Sequence, residues 1–125
     1  MEQYSFEKLL VYQSAKRLVV EVYRLMAKFP PQEKYALCDQ LRRAIVSVPS
    51  NLAEGSGRMS VKEKIHFIEI AYGSLMEAYC QLDIAKDLGY ISVEDFATVK
   101  NKFFDCSRLM TAYRKSFVDK TQSFQ

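Results

Sequence analysis

Apolar side chains recur three and four positions apart along four stretches of the chain. This spacing is the period of an α-helix that packs one face against its neighbours. The stretches cover residues 11–29, 37–55, 65–82 and 96–117. No stretch alternates apolar and polar residues between turn residues, as a half-buried strand would. The pattern therefore predicts helices near residues 6–28, 32–56, 61–87 and 93–117.

Residues that start and stop helices stand between these stretches. The Pro-Pro pair at 30–31 ends the first helix, and its second proline suits the first turn of the next. The segments 60–63 and 92–95 have the spacing of a capping box, with Asp in place of Glu in the second. Gly89 is placed to end the third helix in a left-handed conformation. Short connections of this kind predict an antiparallel, up-down-up-down four-helix bundle.

The length of 125 residues suits one domain, 1–125, whose last residues, 118–125, form a polar tail. The three cysteines form no paired motif, which favours free thiols in a reducing compartment. The first residues lack the pattern of a secretory signal, and no apolar run approaches the ~20 residues of a membrane span. We therefore expect a cytoplasmic protein without a membrane partner.

The stretch SVPSNLAEGSGR at 47–58 keeps its helical period through Pro49, so it reads as a helix that contains a proline. Polar side chains recur three or four apart on the opposite face and form one ridge. We define the polar ridge as Gln40, Ser47, Ser50, Asn51 and Glu54 of this helix with Glu77 of the next.

The string QLRRAIVSVPSNLAEGSGR, followed by FIEIAYGSLMEAYCQL at 67–82, resembles the bacterial four-helix-bundle proteins encoded in intervening sequences of 23S ribosomal RNA genes. The resemblance extends over residues 5–115 and implies a bundle that assembles as a ring, commonly a homopentamer. The family is also similar to accessory proteins of diversity-generating retroelements, which bind nucleic acid and a reverse transcriptase. Most members of the family have no established biochemical activity.

Charge favours an anionic partner for the first half of the chain. Residues 1–62 hold ten Lys and Arg against six Asp and Glu, whereas the whole chain has a net charge of +3. Our leading hypothesis is association with RNA or DNA through phosphate contacts. The candidate residues are Arg42, Arg43, Arg58, Lys8 and Lys16. The alternative is a protein scaffold without nucleic-acid affinity, in which the polar ridge holds subunits together.

Catalytic and metal chemistry find no support in the sequence. Glu63 and His66 match one Glu-x-x-His motif, but a dinuclear carboxylate site needs two such motifs, and the chain has a single histidine. The same shortage of histidine argues against a nucleophile–base pair. We therefore expect no cofactor, no metal and no enzymatic activity.

The scaffold hypothesis predicts that Asn51→Ala or Glu54→Ala disrupts assembly, because each removes a polar group from the ridge. Light scattering would show a smaller species than the unmodified protein. An unchanged mass in both variants would contradict the assembly role of the ridge.

Overall fold

The computed structural model describes residues 2–122, and that part of the chain is helical and contains no strand. Its four α-helices are α1 (Leu10–Met26), α2 (Leu37–Ser56), α3 (Val61–Asp87) and α4 (Val93–Gln122). Two short 3-10 turns, Ser5–Lys8 and Pro31–Glu33, precede α1 and α2. The predicted all-α fold class is confirmed.

The helices form a closed square, because α1 and α3 each pack against both α2 and α4. Contacts between helix ends give the directions. Lys28, just after α1, pairs with Asp95 at the beginning of α4 over 2.8 Å. Glu69 near the beginning of α3 pairs with Arg114 late in α4 over 3.3 Å. Sequential helices therefore run antiparallel around the bundle, as the short connections predict.

Each helix buries the stripe that its apolar period marks, and the stripes meet in one core. The largest fully buried side chains are Leu18, Val22, Leu41, Ile45, Val48, Leu52, Leu75, Leu82, Phe103, Cys106 and Met110. α2 continues unbroken through Pro49, as the sequence predicts. Every helix also exposes at least one large apolar side chain, and α3 exposes several on its outer side.

The predicted beginnings of the first two helices need correction. α1 begins at Leu10 rather than near residue 6, because Leu9 is extended, with ψ at 130°, and separates the 3-10 turn from the helix. α2 begins at Leu37 rather than near residue 32, since Ala36 has φ −120° and ψ −102° and breaks the helical run. The Glu33 carboxylate lies 3.5 Å from Leu37 N and accepts a hydrogen bond from Tyr90 Oη at 2.7 Å.

The predicted end of the fourth helix is also too early. α4 continues through Gln122 instead of stopping near residue 117, so the predicted polar tail at 118–125 is helical as far as the structure describes it. Residues 123–125 lie outside the described part of the chain. A run of polar residues is compatible with an exposed helix, and composition alone did not distinguish helix from tail here.

The predicted cap at Gly89 and the predicted capping box at residues 92–95 are confirmed. Gly89 has φ at +78°, and Tyr90 N donates to Ala85 O at 2.9 Å, which makes a Schellman cap on α3. Asp95 N donates to Ser92 Oγ at 2.9 Å, and Ser92 N donates back to the Asp95 carboxylate at 3.4 Å. The substitution of Asp for Glu therefore still closes the capping box of α4.

α2 and α3 approach each other closely where Gly55 meets Phe67. A Cβ added at Gly55 would lie 2.6 Å from Phe67 Cβ, a distance that side chains do not tolerate. Nearby, Lys64 Nζ donates to Ser56 O at 2.8 Å. Gly55 is therefore required by packing between the two helices rather than by a turn.

We expect Gly55→Ala to destabilise the protein by about 1–3 kcal/mol, because the added methyl group forces α2 and α3 apart. Gly73→Ala is the matched control, since nothing lies within 4 Å of a Cβ added at that helical glycine. The control should gain about 0.5–1 kcal/mol from helix propensity. Urea unfolding followed by far-UV circular dichroism at fixed protein concentration measures both, and equal effects of the two variants would refute the packing role of Gly55.

Candidate functional site

The outer surface between α1 and α2 carries a shallow groove, built from three hollows of about 350, 430 and 250 Å³. The hollows adjoin, because the first two share Val19 and Val20 and the last two share Tyr23. We call this surface the α1/α2 groove. Its walls are Lys16, Arg17, Val19, Val20, Tyr23, Arg24, Met26, Ala27, Phe29, Pro30, Pro31, Lys34, Cys38, Arg42, Val46 and Pro49.

Five of these wall residues are Lys or Arg, and none is Asp or Glu. A further hollow between α1 and α4 adjoins the groove, since it shares Arg17, Val20 and Arg24 with it and adds Glu21 and Asp105. There Glu21 pairs with Arg24 over 2.6 Å and with Lys102 over 3.2 Å. Arg24 is therefore neutralised from the α1/α4 side, and the positive charge of the α1/α2 groove comes from its other cations.

Arg42 and Arg43 share one carboxylate. Asp39 accepts from Arg42 at 3.0 Å and lies 3.1 Å from Arg43, one helical turn away on α2. A single negative charge between two guanidinium groups leaves a net charge of +1 at this position. Beside it, burial raises the pKa of the Cys38 thiol while nearby Arg42 opposes the shift, so the thiol stays protonated near neutral pH.

Lys16, Arg17 and Lys34 make no ion pair with the described residues. Lys16 Nζ lies 5.4 Å from the centre of the Tyr12 ring, and Lys34 Nζ lies 5.3 Å from that of Tyr35. A cation over an aromatic face keeps its charge and is held near the surface. These three exposed side chains thus present charge to solvent without an ion-pair partner among residues 2–122.

Two of the predicted phosphate-binding residues lie elsewhere. Arg58 follows α2 at the end opposite to Arg42, about 24 Å along the axis at ~1.5 Å per residue. Its guanidinium pairs with Glu54 over 2.8 Å and lies 4.6 Å from the centre of the Phe67 ring. Lys8 is exposed in the 3-10 turn before α1 and makes no ion pair within residues 2–122. The structure therefore brings Lys16 and Arg42 together in one groove, with Arg43 beside Arg42, and separates Arg58 and Lys8 from them.

The polar ridge lies at the seam of α2 and α3, where several of its bonds stay within the chain. The hydroxyl of Ser47 hydrogen-bonds that of Ser74, and Asn51 Nδ2 donates to Ser47 O at 2.8 Å. Glu54 is occupied by Arg58, as described above. The ridge residues with exposed side chains are Gln40, Ser50, Glu54 and Glu77. Ser47 and Asn51 are half-buried, so the ridge is part contact between helices and part free surface.

The contact between α2 and α3 also contains a buried side-chain amide, that of Gln81. Gln81 is 7% exposed and is the one polar side chain buried among the described residues. Its Nε2 lies 3.3 Å from the Glu77 carboxylate, and its Oε1 has no hydrogen-bond partner in the described part of the chain. Gln81 lies seven residues after Ser74, so it belongs to the side of α3 that meets α2.

Three basic residues of the α1/α2 groove and its tyrosine were not among the predicted site residues: Arg17, Arg24, Lys34 and Tyr23. Arg17, Tyr23 and Arg24 belong to α1, where Lys16 was the predicted contact. The sequence does contain a signal for them, since Tyr23 lies seven positions after Lys16 and Arg24 seven after Arg17, a spacing that places each pair on one side of α1. Which side of α1 meets the basic part of α2 is decided by packing.

No metal-binding cluster is present among residues 2–122. No three His, Cys, Asp or Glu side chains in that range come together to hold a metal ion. Glu63 lies in the first turn of α3, where its backbone nitrogen donates to Oγ of the N-cap residue Ser60 at 3.1 Å. Burial raises the pKa of the Cys106 thiol to about 11, so this thiol is no nucleophile at neutral pH.

Comparison with known proteins places the chain in a family. The family model described as 23S rRNA-intervening sequence protein matches residues 7–112. This chain belongs to that family. The match covers all of α1, α2 and α3 and most of α4, so it includes the α1/α2 groove and the polar ridge.

A solved structure supports the fold. The chain is similar to a protein of unknown function from the S23 ribosomal protein family of Bacteroides thetaiotaomicron, with a TM-score of 0.75 and 19% sequence identity. The similarity covers 85% of this chain and 99% of the other. No curated protein sequence matches the chain. Over the residues that the structure describes, no helix is long and apolar enough to cross a membrane.

Proposed function

We propose that the protein is a non-enzymatic RNA-binding protein whose α1/α2 groove contacts the phosphate backbone. The observation that carries the proposal is the composition of the groove wall, which has five basic side chains and no carboxylate. Phosphate contacts from Lys and Arg supply most of the affinity of proteins for nucleic acid. The three unpaired cations of the groove are available for such contacts.

The groove suits a flexible polyanion better than a small anion. Its three hollows are shallow and continuous, and no buried polar side chain lies in its wall to fix a single ligand. Lys16 and Lys34 stand near its opposite ends, with Tyr23 and Arg42 between them. Charge spread along a strip of this kind follows a polymer of phosphates, and its summed field steers association.

The double variant Arg42→Glu/Arg43→Glu is expected to abolish RNA binding near physiological salt, because it reverses two charges beside the groove. For the unmodified protein, affinity should fall steeply between ~50 and ~200 mM salt. Fluorescence anisotropy with a labelled RNA measures both effects, on protein whose mass is checked by light scattering. A variant that binds as tightly as the unmodified protein would overturn the proposed site.

Arg114→Glu/Lys115→Glu is the matched control. These residues are also adjacent cations of one helix, and Arg114 pairs with Glu69, as Arg42 does with Asp39. The control makes the same change in net charge on α4, away from the groove. It should lower affinity only slightly through the long-range field. Equal losses in both double variants would mean that net charge alone, and no particular site, governs binding.

A second candidate function is assembly of several copies, and the outer side of α3 favours it. This side exposes the apolar residues Ile70, Met76, Ile84 and Leu88. α3 also carries five Asp and Glu against three Lys. An apolar, acidic surface is complementary to the apolar, basic α1/α2 groove of another copy. Contacts between two different surfaces of identical chains form a ring when the rotation between copies closes and an open filament when it does not, so this candidate is compatible with the homopentamer that the family resemblance implies.

We expect Ile84→Glu to reduce the mass of an assembly toward that of the monomer, because it removes the apolar area of Ile84 and places a charged group where the contact excludes water. Val93→Glu is the control, since Val93 is an exposed apolar residue at the start of α4, where Glu is well tolerated. Light scattering coupled to size exclusion gives the masses. If Ile84→Glu leaves the mass unchanged, the outer side of α3 is not the contact.

The two candidates compete for the same groove, so their tests distinguish them. An assembly that covers the α1/α2 groove leaves little RNA affinity, and Ile84→Glu would then expose the groove and increase RNA binding. A partner protein such as a reverse transcriptase, which the family resemblance implies, stays a prediction.

A further inference from the structure

We propose that the α1/α2 groove binds single-stranded RNA and that Tyr23 stacks on an unpaired base. This inference rests on the proposed function, since it names the form of RNA that the same groove takes. The groove wall contains basic and aromatic side chains, a combination typical of surfaces that bind single strands. Each base of a single strand has a free face, whereas the bases of a duplex are stacked on one another.

Tyr23 occupies the central position in the groove. It is a wall residue of two of the three hollows, one of which contains Arg24 and the other Lys34 and Arg42. Phosphates held by these cations would place the bases of the same strand near the Tyr23 ring. Single strands bind in this way, with the backbone following the positive charge and the bases stacking on aromatic rings.

The Tyr23 ring is available for stacking. It is 42% exposed, and no other aromatic ring or cation stacks on it within residues 2–122. In contrast, Tyr12 packs edge-on against Phe6 with Lys16 over its face. The Tyr23 ring is thus exposed, lies among cations and has no stacking partner. A duplex would leave this ring without a contact, because its bases are already stacked on one another.

Tyr72 provides a matched control for this residue. It is 41% exposed and lies in the hollow between α3 and α4, beside Glu69 and Arg114. Tyr23 and Tyr72 therefore share residue type, helical setting and exposure, and they differ in the charge around them. A general effect of losing a surface tyrosine would appear in both.

The test compares Tyr23→Leu with Tyr72→Leu in fluorescence anisotropy, using a labelled RNA strand of about 12 nucleotides without self-complementarity. The unmodified protein should bind this strand more tightly than the duplex of the same sequence. Tyr23→Leu should weaken binding to the strand about tenfold at every salt concentration, with the salt slope unchanged because no phosphate contact is lost. Tyr72→Leu should bind as the unmodified protein does, and Tyr23→Phe should restore affinity.

A strand of the same length without bases gives an independent measurement that needs no variant. The affinity of the unmodified protein for this strand should be about as low as the affinity of Tyr23→Leu for the complete strand. Tyr23→Leu itself should bind the strand without bases no more weakly than the unmodified protein does. This arm also decides the question if Tyr23→Leu fails to fold, as judged by far-UV circular dichroism.

Each of three results would overturn the inference. If duplex and strand bind equally well and Tyr23→Leu has no effect, base stacking is wrong, while phosphate binding in the groove still stands. If Tyr23→Leu changes the mass of an assembly but not RNA binding, a second copy occupies the groove. If neither RNA form binds at ~50 mM salt, the proposed function fails together with the inference.

Discussion

The close packing of α2 against α3 is the contact on which the other surfaces of the bundle depend. It requires a glycine at position 55, since Phe67 Cβ occupies the space that a side chain there would need. Hydroxyl groups of Ser47 and Ser74 meet across the same pair of helices. On its other side α2 meets α1 less closely, and Pro49 becomes part of the wall of an open groove. α2 therefore packs tightly against α3 on one side, and on the other side it forms an open groove with α1.

The distribution of carboxylates gives these two sides different chemistry. Glu21 turns toward α4, where it pairs with Lys102, and Asp39 is shared between two arginines. Of the carboxylates of α3, Glu69 pairs with Arg114 of α4, whereas Glu77 belongs to the polar ridge beside α2. A chain with a net charge of only +3 can thus carry several groove cations that make no ion pair among the described residues. Net charge is a poor guide to anion binding when ion pairs neutralise only some of the cations.

Several conspicuous residues of the stretch 47–58 satisfy one another inside the chain. Arg58 has both an anionic partner, Glu54, and an aromatic one, Phe67. Asn51 bonds a carbonyl of its own helix. Their pattern in the sequence is consistent with either an internal or an external partner, because helical spacing shows which side chains share a face and not what the face meets. Lys16 and Arg17 of α1, which make no ion pair among the described residues, are better candidates for contacts with a partner outside the chain.

Local signals in the sequence determined the helices, the passage of α2 through Pro49 and the cap at Gly89, because periodicity and backbone preference act over a few residues. They also determined that Arg42 and Arg43 lie together and that Lys16 lies on a basic helix. The beginnings of α1 and α2 escaped prediction, since single non-helical residues, Leu9 and Ala36, interrupt otherwise helical runs. Only the tertiary structure decided that α1 meets the basic side of α2, that Tyr23 stands between Arg24 and Arg42, and that Arg58 lies apart. Those outcomes depend on how four helices rotate to bury their apolar stripes together, and no local segment contains that information.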